Sequence, residues 1–130
     1  MIEFAMPLST GEWLAFLTAL ATFLIGLGLM LFPRPFMAWL GLAPRVGTNN
    51  GVSEVRGPFG GMWAGLGLAA LLLAQPLVYV ALGTAFVFCL LGRFYSFIVD
   101  RTFNIHCVVA TLFEVASAVF PIAYGLQIIP

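Results

Sequence analysis

Five charged side chains, Glu54, Arg56, Arg93, Asp100 and Glu114, stand inside or at the edges of long apolar runs. A charge in such a run is costly to bury, at least about 2.5–3.5 kcal/mol at a bilayer centre, so it needs a partner or a purpose. Arg93, Ser96 and Asp100 recur at i, i+3 and i+7, which places them on one face of a helix. His106, Ala110, Glu114 and Ser117 make a comparable stripe on the next run. Glu54 at a helix start suits the helix dipole. Asp100 at a helix end opposes it and calls for a cation, either Arg93 or Arg101. The economical arrangement is one network, with Arg93 reaching Glu114 or Asp100 and with Glu54 and Arg56 closing it. In the competing arrangement Arg93 snorkels to the membrane surface and Glu54 and Arg56 are solvated at the interface. A network of this kind can fix helix register or hold a polar headgroup. Glu114, if apolar surroundings keep it protonated, can also exchange a proton.

The elements that carry these residues follow from composition. The chain has 130 residues, 62% of them hydrophobic and only 8% charged, with zero formal net charge and a mean hydropathy of +1.10. A soluble domain is about 25% charged, and five basic against five acidic groups cannot cover a globule of 14.0 kDa. Neutrality argues against a nucleic-acid partner. The expected class is all-α: an integral membrane four-helix bundle with membrane lipids as its surroundings. Runs of about 20 apolar residues mark each span. They lie at about residues 13–32, 54–74, 77–99 and 103–128, within one domain over 1–130. Pro33-Arg34-Pro35 ends the first and Gln75-Pro76 makes a tight hairpin between the second and third. The first long loop holds Phe36-Met37-Ala38-Trp39-Leu40, opened by Pro35 and closed by Gly41, which reads as a short interfacial helix. No basic residue precedes the first span, so it is expected to be retained rather than removed as a signal peptide.

Arg34, Arg45, Arg56 and Arg101 fall on one side of this topology and no Arg or Lys on the other. The positive-inside rule then predicts an inner-membrane, multi-pass protein with both termini on the outer face. On the same count Arg93 lies about 10 Å deep and Glu114 about 16 Å deep from the cytoplasmic edge.

Small residues add a packing signal. Gly57, Gly61 and Gly65 form a ladder at four-residue spacing, and Thr18, Thr22 and Gly26 offer the same on the first span. Such ladders let helix backbones approach closely. The expected partner is a neighbouring helix of the same chain, with a second protomer as the alternative. Gly57-Pro58-Phe59-Gly60-Gly61 also points to a break or hinge at the start of the second span.

These motifs carry a resemblance. Glu54-Val55-Arg56-Gly57-Pro58-Phe59-Gly60-Gly61 followed by Leu66-Gly67-Leu68, then Leu91-Gly92-Arg93 with Ser96 and Asp100, then Glu114, resemble the signature of a bacterial family of small four-helix membrane proteins, domain of unknown function 4345. The resemblance covers most of the chain and implies fold and compartment, but no activity. Pro58 departs from the usual pattern, as does Arg101 after Asp100.

Cys89 and Cys107 lie in apolar runs and read as fillers. Neither metal-ligand spacing nor a nucleotide-binding loop appears, so no metal, cofactor or catalytic residue is assigned. The favoured function is an accessory or structural subunit, packing in or beside a larger membrane complex or as a homo-oligomer. The alternative is a lipid- or small-molecule-binding protein or carrier that uses Glu54, Arg56, Arg93, Ser96, Asp100 and Glu114. A membrane enzyme with Glu114 as acid or base is weaker, since no second catalytic group accompanies it.

Overall fold

Ser9 starts the first helix. Its hydroxyl accepts from the Glu12 amide at 3.2 Å, and the Glu12 carboxylate accepts from the Ser9 amide, also at 3.2 Å. This reciprocal capping box satisfies two amides that a helix start leaves open. A computed structural model describes residues 3–130, and every regular element among them is helical. The order is α1 (Thr10–Leu31), α2 (Pro33–Leu40), α3 (Asn50–Glu54), a π-helical segment (Val55–Gly61), α4 (Met62–Leu73), α5 (Pro76–Val99) and α6 (Ile105–Gly125).

α1 is the central helix. It packs along the π-helical segment and α4 on one side and along α6 on another, while α5 packs chiefly on α6. Its buried residues are small for the most part: Gly11, Ala15, Thr18, Ala19, Thr22 and Gly26, with Leu29. The buried hydroxyls are satisfied within the helix, Thr18 donating to the Ala15 carbonyl and Thr22 to the Thr18 carbonyl, each at 2.8 Å. That local bonding lets polar residues sit at a helix interface without the penalty of an unpaired group.

The approach of α1 and α4 is close enough to exclude side chains. A methyl group at Gly67 would lie 2.5 Å from the Phe23 amide nitrogen and 2.8 Å from the Ala19 carbonyl oxygen. At Gly60 it would lie 2.8 Å from the Met30 amide nitrogen, and at Gly26 it would run into the backbone of Ala64. The packing stripe is therefore Gly60, Ala64 and Gly67. The expected ladder of Gly57, Gly61 and Gly65 does not perform this role: a Cβ at any of the three meets nothing within 4 Å. The reason is geometric. Gly60 and Gly61, like Ala64 and Gly65, are sequence neighbours, and one residue is about 100° around a helix. Two small-residue stripes therefore run side by side, and only one can face α1.

The second apolar run is not a simple α-helix. α3, the π-helical segment and α4 contain 5, 7 and 12 residues. The backbone stays right-handed helical through the junctions, at Glu54 (φ −64°), Val55 (φ −67°), Gly61 (φ −63°) and Met62 (φ −64°). The hinge expected at Pro58 is thus a widened turn within a continuous rod. Proline has no N–H to return to the previous turn, and a π-turn is one way a helix absorbs that loss. Among the described residues three helices, α1, α5 and α6, are long and apolar enough by themselves to cross a membrane.

Boundaries shift modestly. α6 begins at Ile105 because Asn104 caps it, its side chain accepting from the Cys107 amide at 3.1 Å. It ends at Gly125, after which Gln127 adopts a left-handed φ of 59°. The chain then folds back, and the Pro130 carbonyl accepts from the Gly11 amide at 2.5 Å. Tyr124 donates to Glu12 at 2.9 Å beside it. The first turn of α1 and the end of the chain are thus clasped together.

Large apolar side chains lie on both sides of the helices. Leu82 and Phe86 are buried with Ala15, Ala19, Ala70 and Ser117, while Leu24, Phe88, Leu112 and Ile98 are more than half exposed. An outer surface this apolar is the pattern of helices packed in lipid.

A candidate binding cleft at the arginine-bearing end

α5 and α6 are antiparallel neighbours, which brings residues 21 apart in sequence to the same level. Arg93 of α5 donates from Nε to Glu114 Oε2 at 2.6 Å and from Nη2 to Oε1 at 2.5 Å. The Glu114 side chain is only 6% exposed and the Arg93 side chain 26%. This bidentate geometry is the strong form of an arginine–carboxylate contact. It answers the cost of placing either charge there, since each would be expensive alone.

The remainder of the expected network separates into independent contacts. Asp100 takes its hydrogen bond from Ser96 Oγ at 2.8 Å, and Ser96 Oγ lies 3.0 Å from Thr102 Oγ1. A serine hydroxyl has one proton. With that proton on Asp100, Thr102 is the donor in the second contact. Asp100 thus finds a hydroxyl where a cation was expected. Arg101 has a left-handed backbone, φ 53°, and joins no ion pair among the described residues. Arg56 donates to the Met30 carbonyl near the end of α1. α1 has no basic residue in its own last turn, so Arg56 supplies the positive charge that the helix C-terminus favours. Glu54 is exposed and joins no ion pair among the described residues. His106 packs edge-on against Trp39, ring centres 5.4 Å apart.

Beside the Arg93–Glu114 pair lies a cleft of about 860 Å³. Its existence follows from the packing. α4 and α5 are joined by a tight turn at one end but touch only sparsely, and α1 supports α4 rather than α5. The space between them is walled by Ile25 and Leu29 of α1, Phe59 of the π-helical segment, Trp63 of α4 and Gly92 of α5. Trp63 and Phe113 stack with ring centres 6.2 Å apart and planes within 19°. Phe86 meets both edge-on, at 5.3 and 5.7 Å, and its side chain is buried. This trio forms a floor at mid-height. α2 forms the opposite wall through Phe36 and Trp39. It is drawn in because Gly28 leaves room for Phe36, whose ring would lie 2.5 Å from a Cβ there. Gly41, left-handed at φ 75°, then ends α2.

The family described as domain of unknown function (DUF4345) matches residues 12–126. The chain belongs to the DUF4345 family. No curated protein and no solved structure matches it. The DUF4345 match spans the whole cleft, the ion pair and the capping carboxylate Glu12.

Within this DUF4345 chain, the charged motifs are divided by role. Arg93, Ser96 and Glu114 line the cleft, whereas Glu54, Arg56 and Asp100 do not. What reading the charges alone misses is the aromatic lining. Phe59 and Trp63 stand four residues apart, a spacing that puts both rings on one helical face, and Phe113 adjoins Glu114 in sequence. The contribution of α2 has no such signal, because it depends on the tertiary fit of Phe36 to Gly28. Ser117 Oγ, one turn beyond Glu114, is buried without a hydrogen-bond partner among the described residues.

Proposed function

We propose that this DUF4345 protein is a four-span protein of a bacterial inner membrane whose cleft binds an amphipathic small molecule or lipid. The carrying observation is the cleft itself: about 860 Å³, walled mainly by apolar side chains, with one ion pair at its side. Sites for small ligands have this composition and size, apolar walls with a few placed polar groups. The rod from Asn50 to Leu73 serves as the span that joins α1, α5 and α6. The Gly11–Pro130 contact puts the first turn of α1 and the chain end at one level, in keeping with an even number of crossings. The arginine bias orients that level outward, so the cleft opens in the cytoplasmic half, with α2 along the interface.

Enzymatic acid–base chemistry is less favoured on this geometry. Both Glu114 oxygens are engaged by Arg93, and among the described residues no second candidate acid or base lines the cleft beside them. The accessory-subunit reading keeps one specific support, the outward stripe of Gly57, Gly61 and Gly65, which is shaped for a further helix. Native-gel mass of membrane extracts tests it: Gly61→Leu should release the protein from any larger assembly, and an unchanged mass contradicts that role.

Native mass spectrometry of protein released from its own membranes tests the binding reading. Gly92 lines the cleft and has open space where a side chain would begin, so Gly92→Phe fills the cleft without a clash at Cβ. A co-purifying small-molecule mass that disappears in Gly92→Phe is expected. The same bound mass in both proteins, or none in either, contradicts the reading.

A further inference from the structure

The chemistry of the cleft narrows what it would hold, and this step rests on the binding reading above. Charge comes first. Arg93 and Glu114 are the charged side chains that line the cleft, and they neutralise each other in a bidentate pair. Arg56, the nearest other arginine in the sequence motif, is committed to the Met30 carbonyl. An anionic headgroup would meet the Glu114 carboxylate as well as Arg93, and a cationic one the reverse. Either would be desolvated without a free counter-charge. The favoured headgroup is uncharged.

Hydrogen-bonding capacity comes second. A guanidinium has five N–H donors, and the Glu114 pair uses Nε and Nη2, which leaves donors over. Other donors are scarcer: Ser96 gives its proton to Asp100, and Thr102 gives its own to Ser96. A headgroup that accepts, such as a carbonyl, therefore meets the spare N–H groups of Arg93.

Shape comes third. Phe36, Trp39, Phe59, Trp63 and Phe113 all contribute to the walls, and the Trp63–Phe113 pair is nearly coplanar in orientation. Aromatic faces favour offset stacking or edge contact with another flat ring. Phe59 and Trp39 line the cleft and are each about half exposed, which gives an apolar tail a surface along which to leave for the bilayer.

We propose that the cleft receives a membrane quinone, its uncharged ring among the aromatic walls, a ring carbonyl accepting from Arg93, and its prenyl tail in the lipid. The proposal concerns binding and includes no electron transfer.

The test uses the full chain in phosphatidylcholine nanodiscs and a benzoquinone with a ten-carbon tail. Quinones quench tryptophan fluorescence, and Trp13→Phe leaves Trp39 and Trp63, both in the cleft walls, as reporters. Saturable quenching is expected. It should weaken by at least about tenfold in Arg93→Gln, since a hydrogen bond from a charged donor is at stake, and similarly in Gly92→Phe, which blocks the cleft without touching the ion pair. Excess diacylglycerol or phosphatidylglycerol should not displace the quinone. Displacement by either at equal ratio overturns the quinone assignment while the cleft remains a lipid site. Quenching that is identical in wild type and Gly92→Phe also overturns it. If Gly92→Phe in addition loses no co-purifying mass, the broader binding reading falls with it.

Discussion

Arg93 and Glu114 meet through two nearly equal hydrogen bonds, 2.6 and 2.5 Å, across the antiparallel pair α5 and α6. The contact ties α5 to α6, the helix on which it chiefly packs, at the level of the cleft. It therefore has a structural duty whatever the cleft contains. Removing one partner leaves the other charge buried and unmatched, at a cost of about 3–5 kcal/mol. Arg93→Ala and Glu114→Ala should each destabilise on that scale, and the double variant should lose clearly less than their sum. Unfolding free energies in detergent, arranged as a double-mutant cycle, read this directly. Additive losses contradict the coupling.

The two glycine stripes make opposite predictions. Gly67→Leu drives a side chain into the Phe23 and Ala19 backbone. It should cost about 1–3 kcal/mol or more, as overpacking does. Gly61→Leu points into open space and should change the stability of the isolated protein by less than about 0.5 kcal/mol, the usual range for surface sites. Thermal unfolding of the two variants side by side is sufficient. Equal losses would mean that the Gly57–Gly61–Gly65 face is packed after all.

This contrast also marks how far the sequence was legible. The helical class, the apolar runs of α1, α5 and α6, the short helix after Pro33 and the pairing of Arg93 with Glu114 all follow from local period, span length and the cost of a buried charge. The packing face of α4 does not. Gly57, Gly61 and Gly65, four apart, and Gly60, Ala64 and Gly67, four and three apart, are both spacings that line one helical face, and the position of α1 decides between them. The network failed for a related reason. Counting charges treats every Arg and carboxylate as partners, yet Arg56 found a helix carbonyl and Asp100 a serine hydroxyl, both neutral groups that a charge pattern does not register.

Arg56 should behave as a helix cap and not as a member of the ion pair. Arg56→Gln removes a positive charge from the end of α1, where the Met30 carbonyl accepts it. A loss of about 0.3–1 kcal/mol is expected for an exposed charge at a helix terminus. Combined with Glu114→Ala, the two losses should add. A strong interaction energy between them would restore the single network.

The clasp between the chain end and α1 is separable from the cleft. Tyr124→Phe removes the hydrogen bond to Glu12, and a typical bond of this kind contributes about 0.5–1.5 kcal/mol. Amide exchange over residues 8–12 should rise, because Glu12 Oε2 also accepts from the Leu8 and Ser9 amides. Exchange around Arg93 should be unchanged. A change at Arg93 would show that the two ends of the protein communicate.

The central claim is that the space between Arg93, Phe59 and Trp63 is a ligand site. A density map of the full chain in lipid nanodiscs made from its native membrane extract tests this most directly. The account predicts elongated density that no side chain explains, with its compact end against Arg93 and stacked near Trp63 and Phe113, while the Arg93–Glu114 pair stays intact. A cleft closed by inward movement of α2, or one holding nothing beyond ordered water, would contradict it.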